Sequence, residues 1–188
     1  MKVRIMKKIT IIVLIIFLFI PFVHSHSNHG ELTESEIIEI AMSAAPLNVS
    51  EKATIIGSDG STLREGNNGW TCMPGTPPNE NVNPMCVDKT WQKWLKAYME
   101  QTPYNSENES FGTSYMLIGD QAVDNDDPFN LDKSKGTWIA EGPHLMLLLP
   151  ESLMGNLPTN PYAGGPYVMW KGNEFVHVMV PLEVTSKP

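Results

Sequence analysis

The chain has 188 residues, of which 41% are hydrophobic, 18% charged and 9% aromatic, with 21 acidic side chains against 13 basic ones. That is too apolar for intrinsic disorder, and its scattered prolines and lack of a glycine period exclude a collagen-like repeat. The net charge of -8 argues against nucleic acid and anionic lipid as partners, because those surfaces are bound by exchanging counterions for Lys and Arg.

Lys2, Arg4, Lys7 and Lys8 precede an apolar run from Ile9 to Ile20 that only Thr10 interrupts, and Pro21 closes it ahead of Val23-His24-Ser25. A basic start, a run well short of the ~20 residues of a spanning helix, and a small-residue site describe a cleaved signal peptide over residues 1–25. The cut is placed after Ser25, with Ser27 as the alternative. The expected product is periplasmic or secreted and has no stable membrane anchor. Its loss of four basic residues and no acidic one leaves a net charge of -12 and one arginine, Arg64. Residues 26–31 then form a polar, flexible leader, and 32–188 a single globular domain.

Two cysteines, Cys72 and Cys86, are separated by thirteen residues. In an exported chain the expectation is a disulfide, stabilising by about 3 kcal/mol in the chain-entropy picture. Zinc is a poor rival, because no CxxC, second cysteine pair or nearby histidine supplies the other ligands.

Thr33-Glu34-Ser35-Glu36 reads as a capping box, and Ile37, Ile40, Ala41 and Ala44 recur at helical spacing until Pro46. Short β-type runs over 53–56 and 61–65 join through Gly57-Ser58-Asp59-Gly60, a hairpin signal. Asn83-Pro84 offers an N-cap and first-turn proline for a second helix. On it Val87, Trp91, Trp94, Leu95 and Tyr98 form one stripe, with Lys89, Gln92, Lys93, Lys96 and Glu100 opposite. The stripe predicts that both tryptophans pack against a sheet, in preference to forming a sugar-stacking platform.

Residues 101–112 read as a polar loop, 113–118 as a strand, and 119–136 as a long loop carrying Asp120, Asp124, Asp126, Asp127 and Asp132. An EF-hand counted from Asp124 would have Phe129 where glycine is needed and Lys135 where glutamate is needed, so that motif is absent. His144 to Leu149 is a strand between two prolines, with a helical turn expected over 151–157. Tyr167 to Trp170 and Glu174 to Leu182 then flank Lys171-Gly172-Asn173 as a hairpin. These elements predict an α+β fold: a mostly antiparallel sheet with a C-terminal hairpin, packed against the amphipathic Trp-bearing helix, with one disulfide.

At Asn68-Gly-Trp-Thr-Cys72, Asn83-Pro-Met-Cys-Val-Asp88, Pro143-His-Leu-Met146, Gly164-Gly-Pro-Tyr-Val-Met-Trp170 and His177-Val-Met-Val-Pro181, the chain resembles an uncharacterised family of small exported bacterial proteins. The resemblance runs from about Ala44 to Pro181. It implies a bacterial, exported, single-domain protein and carries no reaction, ligand or catalytic residue with it.

The sequence holds no GxSxG, HExxH, CxxC or phosphate-cradling glycine loop. The leading functional expectation is therefore a non-catalytic binding or interaction protein whose partner is a small ligand or another protein. The alternative is a hydrolase-like enzyme using His144 or His177 as base, with Asp88 or Asp120 as its orienting carboxylate.

The feature that stands above background is a repeated His-x-Met, at His144/Met146 and His177/Met179. Period-two alternation puts each His on the face of its Met, so neighbouring strands would gather two imidazoles and two thioethers, a donor set suited to copper as Cu(I). A three-residue turn sets Tyr167 against His177 and Met169 against Phe175. A two-residue turn sets His177 against Val168 instead. His26 and His29 offer a second copper chelate at the expected new N-terminus.

Overall fold

Five-residue strands over 112–116, 144–148 and 177–181 build the middle of one eight-stranded sheet among the described residues, and shorter strands extend it on both sides. The computed structural model describes residues 32–75, 83–105 and 111–185. The expected signal peptide, the leader and the His26/His29 pair lie outside the described residues.

In chain order the helices are α1 (Glu34–Met42), α2 (Leu47–Ser50) and α3 (Lys89–Glu100). The strands are β1 (Thr54–Ile56), β2 (Thr62–Arg64), β3 (Thr71–Met73), β4 (Met85–Val87), β5 (Gly112–Met116), β6 (Val123–Asp124), β7 (Trp138–Ile139), β8 (His144–Leu148), β9 (Tyr167–Met169) and β10 (His177–Pro181). The large sheet runs β2-β1-β3-β4-β5-β8-β10-β9, and among the described residues only β1 and β3 pair in parallel. The fold is thus α+β with a mostly antiparallel sheet. β6 and β7 form a separate two-stranded ladder.

Register divides the side chains between two faces. Met85, Val87, Met116, Met146, Leu148, Tyr167, Met169 and Met179 lie on the face that α3 covers with Trp91, Trp94 and Ala97. Ile55, Cys72 and Cys86 point the other way, under Ala41 of α1, while Val168, Val176 and Val178 are covered by Met154. Cys72 and Cys86 are directly opposed on β3 and β4 and are joined as a disulfide with both residues fully buried.

α1 begins with the predicted box: Thr33 N donates to Glu36 Oε2 at 2.8 Å and Glu36 N donates to Thr33 Oγ1 at 3.3 Å. For α3 the start differs from expectation. Residues 85–87 pair with both β3 and β5, so the N-cap is Asp88 and not Asn83. Asp88 Oδ1 accepts from the backbone N-H of Thr90 and of Trp91, both at 2.9 Å, and Oδ2 accepts from Thr113 N at 2.6 Å. One carboxylate therefore caps the helix and ties it to β5.

The C-terminal hairpin also departs from both expected registers. Met169 opposes His177 and Tyr167 opposes Met179, with 170–176 looped out. Trp170 leaves the strand in the left-handed region, at φ 57°, and Asn173 turns the chain by accepting from Phe175 N at 2.9 Å. The offset from the three-residue reading is two residues, so each side chain keeps its face and only its cross-strand partner changes.

Candidate functional site

A cavity of about 330 Å³ lies between α3 and the sheet face it covers, with residues 120–123 forming part of its wall. Seven of the nine methionines beyond residue 31 line it: Met73, Met85, Met99, Met116, Met146, Met169 and Met179. The clusters on the opposite sheet face are built mainly from Ala, Val, Ile, Leu and the disulfide, with Met154 buried in one and Met42 packed against the other. Thioether side chains are therefore concentrated at this one site.

His177 forms the polar centre of the wall. Trp170, Trp94 and Trp91 surround it at centroid distances of 4.9, 5.5 and 5.6 Å, each ring nearly perpendicular to the imidazole. Trp94 and Trp170 are parallel to within 4°, and Tyr98 is parallel to both. The imidazole Nδ1 lies 3.0 Å from Phe175 O. A carbonyl only accepts, so the proton is on Nδ1 and Nε2 carries the lone pair. Burial lowers the pKa to about 4, the charge of His144 acts in the same direction, and the Phe175 hydrogen bond opposes both. The ring is neutral near pH 7.

Among the described lining residues Asp120 is the one carboxylic acid, and none is Lys or Arg. Its Oδ1 accepts from Gln121 N at 2.6 Å and from the Asn83 side chain at 3.3 Å. Desolvation pushes its carboxyl above the usual carboxylate range, against the attraction of His144. Beyond the cavity Tyr167 donates to Glu141 Oε1 at 2.8 Å, and Thr185 donates to the same carboxylate.

The four His-x-Met residues share one sheet face, and Met146 and Met179 directly oppose each other. His144 opposes Pro181, at the other end of the strand pair from His177, four residue steps or roughly 13 Å of strand rise away. Each imidazole is tethered to the carbonyl two residues earlier, His144 to Gly142 O at 2.7 Å and His177 to Phe175 O. His177, Met146 and Met179 line the cavity and His144 does not. Its Nε2 is buried and has no hydrogen-bond partner among the described residues.

Neither imidazole hydrogen-bonds to a carboxylate among the described residues, and Asp88 is spent at the cap of α3. Both cysteines are in the disulfide, so no thiol nucleophile is available. Among the described residues no three His, Cys, Asp or Glu side chains gather to hold a metal ion.

Sequence reasoning missed Met169, Trp170 and the cavity itself. The abundance of methionine was a visible signal, but its convergence depends on strand order, which sets β10 between β8 and β9. Comparison with protein-family models, curated proteins and solved structures finds no match.

Proposed function

We propose that the protein is a non-catalytic binding protein that holds a small, largely apolar ligand in the cavity between α3 and the sheet. The observation that carries this reading is an open space of about 330 Å³ walled by thioethers and aromatic rings, with few polar groups converging on it. That is the anatomy of small-ligand sites, in which apolar surface supplies affinity and a few polar atoms fix orientation. With no Lys or Arg among the described lining residues, nothing there attracts an anion, and the wall suits a neutral ligand or a soft cation. Among cations, thioethers favour a soft one over a hard one.

Export to a bacterial periplasm belongs to the same reading, supported by the apolar run 9–20 behind four basic residues and by the disulfide. Among the described residues no helix is long and apolar enough to cross a membrane.

The neutral dye N-phenyl-1-naphthylamine tests the reading. Saturable one-to-one binding is expected, and it should be lost in Ala122→Trp, which places an indole at the lining from an exposed position. Absence of saturable binding, or binding indifferent to Ala122→Trp, would overturn it.

A further inference from the structure

Resting on the reading of this cavity as a binding site, we propose that its wall also takes the cuprous ion, beside the space left for an apolar ligand, through His177 Nε2 and the Met179 thioether with a flanking thioether of Met169 or Met146 as third donor. This set replaces the distant His144 with Met169, and the register puts its four members on one contiguous patch. Met169 is directly opposite His177 across β9 and β10, Met179 is two residues from His177 on the same face, and Met146 is directly opposite Met179 across β8 and β10. Directly opposed residues have Cβ atoms roughly 5 Å apart, so a three-torsion thioether at Met169 reaches His177 and one at Met146 reaches Met179, while Met169 and Met146 themselves are two strand spacings, roughly 10 Å, apart across β10. All four line the same cavity.

Three further observations fit a soft cation. The hydrogen bond from His177 Nδ1 to Phe175 O fixes the tautomer with Nε2 as donor atom, as the outer partner of a metal-bound imidazole does. Thioether and imidazole together select Cu(I), whereas zinc, calcium or magnesium would want thiolate or carboxylate groups that this patch lacks. Indole rings surround His177, and a desolvated cation gains from aromatic faces nearby.

Methionine is also an ordinary core filler, and Met116, Met146, Met169 and Met179 are buried in the core beneath α3. That core, however, encloses open space, and seven methionines border it. Trp170, next in sequence to Met169, adopts φ 57°, a conformation that costs a bulky residue energy and is met most often where function fixes the backbone.

The test is anaerobic titration of the full chain with Cu(I) against a chromophoric Cu(I) chelator, with tryptophan fluorescence followed in parallel. One Cu(I) per chain is expected to quench the indoles. The volume-conserving Met146→Leu/Met169→Leu/Met179→Leu variant should lose at least roughly 100-fold in affinity while its near-ultraviolet circular dichroism stays native. His144→Gln should bind as the wild type does. Equal Cu(I) affinity in the wild type and the triple variant overturns the assignment, and so does loss in His144→Gln as large as in the triple variant. If N-phenyl-1-naphthylamine binds and Cu(I) does not, the copper assignment falls and the binding reading stands. If neither binds, both fall.

Discussion

The indole N-H of Trp170 donates to the backbone carbonyl of Asp124 at 2.7 Å, and the backbone N-H of Trp170 donates to Asn125 O at 3.0 Å. One residue thus pins the end of β9 to the β6–β7 ladder, and it does so from a left-handed backbone. Trp170→Ala should destabilise by about 3–5 kcal/mol through the lost packing and hydrogen bond. Trp170→Gly should cost about 1 kcal/mol less than alanine, because glycine accepts positive φ without strain. Urea unfolding of the two variants checks this, and alanine proving the milder change would contradict the strained backbone.

Asp88 was attractive in the sequence as a carboxylate for catalysis, and the structure gives it three backbone donors to satisfy. Asp88→Ala should lower stability by about 2 kcal/mol, since an N-cap and the tie to β5 are lost together. Asp88→Asn should retain about half of that, because its amide oxygen still caps. Thermal unfolding of both variants measures the effect, and wild-type stability in Asp88→Ala would refute the role.

Cys72 and Cys86 are expected to show no reactive thiol in the native oxidised protein. The Cys72→Ala/Cys86→Ala pair should unfold about 3 kcal/mol more easily, from the chain entropy regained by the open loop. Thiol labelling and denaturant midpoints test the two halves separately. Two labelled thiols in the oxidised protein would refute the bridge.

His177 makes stability depend on pH in one direction. Its folded pKa of about 4 lies below the ordinary 6.5, so between those values the unfolded chain binds the proton that the folded chain rejects. Stability from this group is complete above about pH 6.5 and declines as the pH falls toward 4, by about 3 kcal/mol in all. Urea unfolding at pH 7.5, 5.5 and 4 should show a shallower loss in His177→Phe than in the wild type. Parallel profiles would exclude the buried neutral imidazole.

Local patterns carried much of this fold. The capping box, the hairpin over residues 53–65, the tryptophan stripe and the three long strands were all legible, because each depends on neighbours within a few residues. The start of α3 was not, since Asn83-Pro84 is a good local signal that loses to a tertiary one, the pairing of Met85 to Val87 on both sides. The C-terminal register was missed for a related reason. Trp170 leaves its strand to meet Asp124, a residue 46 positions earlier, and no alternation of polar and apolar residues records that contact. Of the His-x-Met reading the shared face was legible, while the separation of the two imidazoles follows only from how β8 and β10 are offset.

β10 comes after β9 in the chain, yet lies between β8 and β9 in the sheet. During synthesis β9 therefore leaves the ribosome with no strand to join, and it must wait for residues 177–181 before either can dock. The N-terminal strands β1 to β4 are free of this delay, since their pairings are local and Cys72 meets Cys86 across neighbouring strands. A chain truncated before residue 177 would keep β1 to β4 and the Cys72–Cys86 bridge, but the cavity beneath α3 would lack one side.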